Sequence, residues 1–430
     1  MKPASFRFLL KSLAALLAAA GTVLYLASYF RGGFLLLGAG LLVVLEHRLA
    51  LGSGPEARAA FAASARRLLG QAVIPVTGIA AALLIGAAIM ALTGYAPLAS
   101  YQALFYGGLV RNWNISVLNA TPLIFTGLSI AFAFRCGLFN IGAEGQFLAG
   151  VMAATWLGIG LNLPPVFGIL LLFGAGALLG AAMNLVPAIL KVKTGAHEVV
   201  TTMMFAYAIR TLAPIFIRAK GGDPVSTSHP YVTDLVSERV WLPLFRDFLP
   251  EANYRLHIGI LLAIACAFLV RFILERTDLG YRIKAVGYNP TAARTQGISV
   301  AWITTASLLI SGALAAFSGV TQVLGLDHRM FQNLDGGYGW NGISIALLAR
   351  NNPVAIIFTA LLWGVLDSGG QFMARTVQTP NAIIEIVKGI LLFLMLAEAL
   401  YTHAGSAIRR WCSGRFGRTG TAGADQGVQP

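Results

Sequence analysis

The sequence predicts an all-α fold, a polytopic transmembrane helical bundle, on three observations. Of the 430 residues, 57% are hydrophobic and only 11% are charged, whereas a typical soluble domain has about 25% charged residues. Apolar runs of bilayer-spanning length recur along the chain. The net charge of +14 lies in short connections and tails, a pattern typical of the cytoplasmic loops of membrane proteins. The basic charge therefore needs no nucleic-acid partner, and we expect none.

Residues 1–72 are predicted to form an N-terminal hydrophobic hairpin and a cytoplasmic linker. The apolar run 8–30 follows basic residues and is longer than the core of a secretory signal peptide, which favours an uncleaved anchor over a cleaved signal. The second run, 33–45, has 13 residues, about 20 Å as a helix, and is short for a full crossing. Residues 46–72 carry several arginines and indicate a linker on the cytoplasmic side.

The main bundle is predicted over residues 73–402. Its apolar runs are each long enough to cross a bilayer, and they cover residues 74–93, 117–134, 137–160, 166–190, 197–217, 256–273, 302–325, 354–373 and 382–401. Near 341–353 a half-length apolar piece lies between a glycine-rich segment and an Asn-Asn-Pro break, which predicts a discontinuous or re-entrant helix. With this piece and the early hairpin, we expect about 10–12 membrane segments.

The last segment, residues 403–430, is predicted to be a basic, disordered cytoplasmic tail. Gly, Thr, Ala and Gln dominate its end, and such a composition cannot bury a core. Its arginines indicate the cytoplasmic side, and the number of crossings returns the N-terminus to the same side. The basic residues of this tail are Arg409, Arg410, Arg415 and Arg418.

A polar segment, Asn140 to Gln146, lies between two apolar flanks and is the leading candidate for a functional site. Unpaired polar groups are costly in hydrocarbon, so Asn140, Glu144 and Gln146 require partners from protein or a watery cavity. Two interpretations remain open: these side chains line a path for a solute, or they form a polar joint between helices.

Other polar residues in apolar surroundings are further candidates. Asp367 lines a path or caps a helix break, and His197 is a hydrogen-bonded structural residue or a proton carrier. Asn341 lies in Gly337–Gly342, a glycine-rich stretch that we interpret as the start of a half-helix facing the pathway. That stretch matches G-x-G-x-x-G, but no strand pattern precedes it, so dinucleotide binding is dismissed. Glu385 and Lys388 are spaced to neutralise each other on one helix face.

The loop 276–300 differs from the other connections. Asn289 and Pro290 can open a short helix, Ala292 and Ala293 give it a small-residue face, and Gly297 can end it. Such a helix, lying parallel to the membrane, suits insertion into a groove of a partner protein. The alternative is an ordinary solvated loop.

Several motifs are absent from the sequence. It contains no Gly-Lys dipeptide, which excludes the phosphate loop G-x-x-x-x-G-K-[ST], so any ATP must be hydrolysed by another chain. Neither G-x-S-x-G nor H-E-x-x-H occurs, so we expect a protein that is not itself an enzyme. The three cysteines are scattered and predict neither a disulfide framework nor a metal site.

Three blocks carry a family resemblance: GLFNIGAEGQ at 137–146, TDLGYRIKAVGYNPTAARTQGI at 277–298 and NGISIALLARNNP at 341–353. They resemble the permease subunits of bacterial ABC importers of the branched-chain amino acid and simple-sugar superfamily. More narrowly, they resemble the nucleoside and simple-sugar branch that works with basic-membrane-protein-type lipoproteins. The likeness runs from about residue 74 to 401 and leaves out the early hairpin.

The resemblance implies a function, partners and a location. The chain would form the path of an ABC importer for a nucleoside or related simple sugar in the bacterial inner membrane. Its partners would be a second permease subunit, a lipoprotein that delivers the solute, and a cytoplasmic ABC ATPase that binds ATP and Mg. The family's coupling element falls on Gly287 to Gly297, and its polar midplane segment falls on Asn140 to Gln146.

The chain also departs from the family pattern. Family members usually read GANEVISTLMLNYIA where this chain has GAHEVVTTMMFAYAI, so His197 and Ala206 each replace an Asn. The usual solute therefore does not transfer directly. An ion-coupled secondary transporter using Glu144, Asp367 or Glu198 is the alternative function, and a membrane scaffold without transport is a third.

Overall fold

A computed structural model of the chain describes residues 77–221, 232–248, 255–332, 334 and 336–396. The predicted N-terminal hairpin and linker (1–72) and the basic tail (403–430) lie outside the described residues. The domain boundaries placed at 72/73 and 402/403 therefore stay predictions.

The described residues are helical, which confirms the all-α prediction. Strand pairing within them is limited to two isolated bridges, Val232 with Phe331 and Leu244 with His257. In chain order the helices are α1 Thr77–Leu92, α2 Pro97–Phe105, α3 Trp113–Arg135, α4 Ala143–Gly158, α5 Pro165–Thr194, α6 Glu198–Ala219, α7 Phe245–Phe248, α8 Gly259–Arg276, α9 Asp278–Tyr288, α10 Pro290–Thr295, α11 Val300–Gln322, α12 Tyr338–Leu348, α13 Pro353–Thr376 and α14 Ala382–Leu396. π-helical turns follow α2 at Tyr106–Arg111 and α11 at Val323–Asp327.

Five of these helices are long and apolar enough to cross a membrane, counted over the described part of the chain: α3, α5, α6, α11 with its π-helical extension, and α13. The helix within the predicted apolar run 137–160 is shorter than that run. The helix there begins only at Ala143, because Gly137 has φ 73° and residues 136–142 form a loop. Loop 136–142 carries the predicted polar segment into the interior.

Helix α12 confirms the predicted discontinuous piece. It starts at Tyr338, after Gly336 and Gly337 with φ 51° and 74°, and ends before Asn352 and Pro353, which start α13. It has 11 residues, about 16 Å of helix, roughly half of the hydrocarbon thickness.

Helix α3 lies at the centre, in contact with α11, α12 and α13. Glycines allow the close crossings: a Cβ on Gly364 of α13 would overlap the carbonyl oxygen of Ser116, and one on Gly342 of α12 would lie 2.8 Å from Thr126 Cβ. α12 runs alongside the second half of α3, and its end reaches Arg135, whose Nη2 donates to the Asn351 carbonyl at 2.9 Å.

The two ends of the bundle differ. At the end of α3 marked by Arg135 lie α9 and α10. At the opposite end, residues 232–248 form a strap that bonds to the chain leaving α11. The strap's backbone N–H groups at Thr233, Val236 and Leu242 donate to the carbonyls of Met330, His328 and Leu324, at 2.8–2.9 Å.

Candidate functional site

Loop 136–142 places Asn140 in the middle of the bundle, where its side chain is fully buried. Asn140 Nδ2 donates to Gln146 Oε1 and to Ser311 Oγ, both at 2.8 Å. Its Oδ1 accepts from Gln146 Nε2 at 3.0 Å and from the Gly142 N–H at 3.1 Å. The two predicted residues Asn140 and Gln146 are thus brought together as a reciprocal amide pair.

Further contacts extend this pair into an amide network across several helices. Gln146 Nε2 also donates to Asn184 Oδ1 at 2.6 Å, and Asn184 Nδ2 donates to the Leu308 carbonyl at 2.7 Å. Ser311 Oγ donates to the Ser129 carbonyl at 2.8 Å. The network joins α3, α4, α5 and α11. In this conformation Asn140 and Gln146 bond protein groups in a buried joint, and a direct role on the solute path stays a prediction.

Glu144, at the first turn of α4, reaches the first turn of α12. Its Oε2 accepts from the N–H of Gly339 at 2.5 Å and of Trp340 at 3.2 Å. The two helix starts can meet because residue 339 is a glycine, whose Cβ would otherwise overlap the Glu144 backbone. Both helix N-termini carry partial positive charge, so the carboxylate is stabilised from two sides. The N–H groups of Gly339 and Trp340 at this half-helix start therefore donate to Glu144 of the same chain.

The remaining predicted pathway residues lie elsewhere. Asn341, in α12, accepts a hydrogen bond from Trp363 Nε1 of α13 at 3.1 Å. Asp367 forms an ion pair with Lys388 of α14, and Glu385 Oε1 lies 2.9 Å from the same Lys388 Nζ. His197 is exposed at the start of α6, where its carbonyl accepts from the Val200 and Thr201 N–H groups. Asn341 and Asp367 are thus linked through α13, where Lys388 Nζ also lies 6.0 Å from the centre of the Trp363 ring, whereas His197 is exposed at the start of α6.

An ion-coupled carrier needs a membrane carboxylate whose charge the coupled ion balances. Each of the three acids named for that role has a compensating group: Glu144 accepts backbone amides, Asp367 pairs with Lys388, and Glu198 pairs with Lys191 at 2.8 Å. Among the described residues there is also no group of three or more His, Cys, Asp or Glu that could hold a metal. The geometry thus offers little support for the ion-coupled alternative.

The predicted coupling element consists of the end of α9 and the short helix α10. α10 begins at Pro290, as predicted, and Asn289 caps it: Asn289 Oδ1 accepts from the Thr291 and Ala292 N–H groups at 3.0 Å. Gly297 ends the turn with φ 77°. The small-residue face is split, because Ala293 is buried against the bundle and Ala292 is exposed.

The coupling element is tied to the centre of the bundle through α3. A Cβ on Gly287 would overlap the carbonyl oxygen of Arg135, so the absence of a side chain lets α9 pack directly on the α3 backbone. Arg135 in turn bonds the Asn351 carbonyl at the end of α12. A contiguous series of contacts therefore leads from Gly287 through Arg135 and α12 to Glu144.

The sequence did not predict a half-open pocket of about 110 Å³, which is lined by residues of α4 and α6 and by Met330, Phe331, Gln332 and Leu334. Arg210 of α6 and Gln332 are among its lining residues. A signal was available: Arg210 is a charged residue inside the apolar run 197–217, and ionisable residues within membrane helices commonly face a cavity or the bundle interior.

Comparison with known proteins identifies the family. Residues 113–396 match the model described as "Branched-chain amino acid transport system / permease component". The matched region covers α3 to α14, including the amide network, Glu144 and the coupling element. The chain belongs to this permease family, and it is a multi-pass membrane protein.

Curated relatives place the chain among ABC transporter permeases. It is 33% identical to a guanosine ABC transporter permease of Bacillus subtilis, over 77% of this chain and 94% of that protein. It is 32% identical to a nucleoside ABC transporter permease of Lactococcus lactis, over 76% and 91%. It is 31% identical to a glucose ABC transporter permease of Haloferax volcanii, over 75% and 87%. This membership confirms the family resemblance and sets aside the scaffold and ion-coupled alternatives.

Proposed function

We propose that the chain forms the translocation path of an ABC importer for a nucleoside or a related simple sugar. The names of the guanosine and nucleoside permeases support this solute class, and the glucose permease keeps simple sugars within it. In this proposal, a second permease subunit completes the path and an extracytoplasmic lipoprotein delivers the solute.

The arrangement at α12 supports a neutral solute. A bare half-helix start is a ready site for an anionic group. Here the carboxylate of Glu144 already accepts the N–H groups of Gly339 and Trp340. Negative charge on a solute would meet a fixed carboxylate, so an uncharged nucleoside or sugar suits this point better than a phosphate ester or a carboxylic acid.

The observation that carries the transport mechanism is the exposed coupling element packed on α3. Tyr288 is 87% exposed, and Pro290, Thr291 and Arg294 are exposed beside it, while Gly287 contacts the Arg135 backbone. We assign this surface to the cytoplasmic ABC ATPase. Movement of the ATPase would displace α9 and α10 and, through Arg135 and the Asn351 carbonyl, the half-helix α12.

ATP and Mg²⁺ are assigned to the ATPase and no cofactor to this chain, in keeping with the lack of a Gly-Lys dipeptide. The bacterial inner membrane is the proposed location. The Arg-rich coupling loop and the basic tail favour a cytoplasmic side for both, and with it cytoplasmic N- and C-termini.

The test replaces Gly287 by Trp, which forces α9 away from α3. We expect Gly287→Trp to abolish uptake of labelled nucleoside in cells while the chain still inserts in the membrane. The matched control is Gly389→Trp in α14, where a Cβ meets no atom within 4 Å; it should keep wild-type uptake. A mild-detergent pull-down of the tagged wild-type chain should bring an ATPase, a second hydrophobic chain and a lipoprotein.

Two results would count against the proposal. Wild-type uptake by a well-expressed Gly287→Trp chain would remove the coupling role of this element. Vesicles that contain this chain alone, and that concentrate a nucleoside or sugar without ATP, would contradict the need for a separate ATPase.

A further inference from the structure

A tryptophan in the first turn of α12 is exposed near the middle of the bundle. Trp340 keeps 40% of its surface exposed. Gly342, two residues further on, packs against Thr126, which lies near the middle of α3. The 11 residues of α12 place its start about 16 Å from its end, and the chain just beyond that end bonds Arg135, the last residue of α3. Trp340 therefore lies about half of the hydrocarbon thickness away from the inner end of α3.

Two further tryptophans in the described part of the chain are exposed, and both lie at an end of the bundle. Trp156, 48% exposed, is near the end of α4, where the Gly158 carbonyl accepts from the N–H of Ser237 in the strap at 2.9 Å. Trp302, 60% exposed, is in the first turn of α11, directly after the coupling element. Tryptophan is enriched at both membrane interfaces, where its ring lies among the lipid headgroups. That preference explains Trp156 and Trp302, but it does not explain Trp340.

Lipid does not suit this side of α12. Gly336 and Gly337, which precede the helix, are turn residues with φ 51° and 74°; the first is exposed and the second is half-buried. Non-helical backbone at this depth is tolerated only where protein buries it or where it lines a water-filled cavity. The side of α12 that carries Gly337 and Trp340 therefore faces a watery path or a second subunit.

Gly337, Trp340 and Asn341 share one face of this first turn, because residues three and four apart are neighbours on a helix. The Asn341 N–H donates to the Gly337 carbonyl at 2.9 Å. Beyond its chain neighbours, a Cβ on Gly337 would meet only Asn341 Nδ2, at 3.7 Å. Helical side chains lean towards the preceding turn. Gly337 thus leaves an open notch between the side chains of Trp340 and Asn341.

The side chains beside this notch offer an aromatic face and hydrogen-bond donors. Asn341 Oδ1 accepts from Trp363 Nε1 at 3.1 Å. Since an indole N–H can only donate, this bond fixes the oxygen of Asn341 towards Trp363 and leaves its amino group on the other side. Among the described residues, no group accepts a hydrogen bond from Asn341 Nδ2. The backbone N–H of Trp340 donates to Glu144 Oε2 at 3.2 Å, which holds the residue in place.

We propose that the indole of Trp340 is a stacking surface for the solute in the translocation path, and that Asn341 Nδ2 donates a hydrogen bond to the same solute. This inference rests on the proposed function and specifies the site. The ligand is an uncharged ring that has an apolar face and an acceptor at its edge. Aromatic side chains bind such faces, and a few placed polar groups fix the orientation. A nucleobase and a sugar ring both have these features, and the experiment separates them.

The first measurement is the KM for uptake in cells that express the complete importer with this chain as wild type or variant. Labelled inosine and labelled ribose are the two probes. Trp340→Leu removes the aromatic face and should raise the KM for the transported probe by about tenfold, within the range of base–aromatic stacking, with little change in maximal rate. Trp340→Phe keeps a ring and should stay within about threefold of wild type. The matched control is Trp156→Leu, which removes an equally exposed tryptophan at the end of α4 and should keep the wild-type KM.

The second measurement does not depend on transport. Open membrane fragments that contain the complete importer are treated with a membrane-impermeant thiol reagent. Trp340→Cys should be labelled above the background that the wild-type cysteines give, because the notch faces water. The transported probe, inosine or ribose, should slow this labelling several-fold.

The outcomes separate this site from the proposed function. An unchanged KM in Trp340→Leu, with no protection of Trp340→Cys by the transported probe, would overturn the stacking surface and leave the importer function intact. An unlabelled Trp340→Cys, with loss of the second hydrophobic chain from the pull-down of Trp340→Leu, would overturn it in favour of a contact between subunits. A raised KM for ribose, with no uptake of inosine, would support the stacking surface and identify a sugar as its ligand. Uptake of neither probe by wild type would overturn the proposed solute class and this site together.

Discussion

The central helices α3 and α13 and the lateral helices α5 and α6 have similar mean hydropathy, but they differ in how much of each helix is buried within the chain. In the most apolar window of α3, 89% of the residues are buried within the chain, and in α13 the share is 72%. In α5 and α6 the shares are 22% and 17%. Mean hydropathy does not separate the two groups, since α5 at 2.3 is more apolar than α3 at 1.7. Apolar character alone therefore does not place a helix at the centre of this fold, and much of the surface of α5 and α6 faces away from the rest of the chain.

The largest difference between the two regions is expected for added volume at glycine. Gly364→Leu in α13 would force a side chain into the Ser116 carbonyl of α3, whereas Gly174 in α5 has open space around its Cβ position. We expect Gly364→Leu to destabilise the fold by about 3 kcal/mol or more and to reduce the yield of folded protein. Gly174→Ala should stabilise α5 by about 0.5–1 kcal/mol.

Thermal unfolding in detergent, with gel filtration of the solubilised chain, measures both variants. Similar unfolding temperatures for Gly364→Leu and Gly174→Ala would contradict the distinction between central and lateral helices.

A smaller effect on stability is expected from replacing the polar residue Asn184 on the buried face of α5. Asn184→Leu in α5 leaves Gln146 Nε2 and the Leu308 carbonyl without the bonds that Asn184 supplies. Unpaired buried groups cost about 1–3 kcal/mol, so the free energy of unfolding should fall by that amount. The neighbouring Leu185 is exposed, and Leu185→Ala should change stability by less than about 0.5 kcal/mol. Denaturant titration of the two variants side by side tests this; a larger loss for Leu185→Ala would refute the assignment of the buried face.

The smallest expected effect concerns the strap, residues 232–248. His328 stacks on Trp241 of the strap with ring centroids 3.8 Å apart. Burial lowers the pKa of His328 below its usual 6.5, and the positive charge of Arg255 adds to this. The unfolded chain therefore binds more protons below about pH 6.5, so the strap's stability is full above that pH and declines as the pH falls through it.

Hydrogen exchange at the Val236 and Leu242 amides measures this effect, after correction for the intrinsic rates. Exchange should speed up modestly between about pH 7 and pH 5. His328→Asn, which tolerates the φ of 57° at this position, should weaken the pH dependence. A strap equally pH-sensitive in His328→Asn would show that another group is responsible.

Short-range helix start and stop signals explain what the sequence could predict. The start of α12 after Gly337, its end before Asn352, and the opening of α10 at Asn289 and Pro290 follow from turn and cap chemistry over a few residues. Such signals act within one stretch of chain and need no knowledge of packing. α3 and α6 are both long apolar runs, and length and composition alone did not distinguish them.

Contacts between distant residues account for what was not predicted. Glu144 contacts Gly339, which lies 195 residues further along the sequence. Asp367 of α13 pairs with Lys388 of α14, and Lys388 also pairs with Glu385 of its own helix. The sequence identified Glu144, Asp367 and Lys388 as polar residues in membrane runs but could not pair them across helices. Arg210 gave an equally strong signal, because an arginine within a spanning run commonly faces a cavity or the bundle interior.

The carboxylate of Glu144 at the start of α12 also has a consequence for the return of a phosphorylated solute. Helix starts are natural phosphate sites, but at this one Glu144 already holds the amides of Gly339 and Trp340. Two like charges about 4 Å apart repel by about 4 kcal/mol in a protein environment of intermediate polarity. If Glu144 lines the solute path as proposed, a cargo that is phosphorylated in the cytosol would be repelled from the start of α12 and would not pass back.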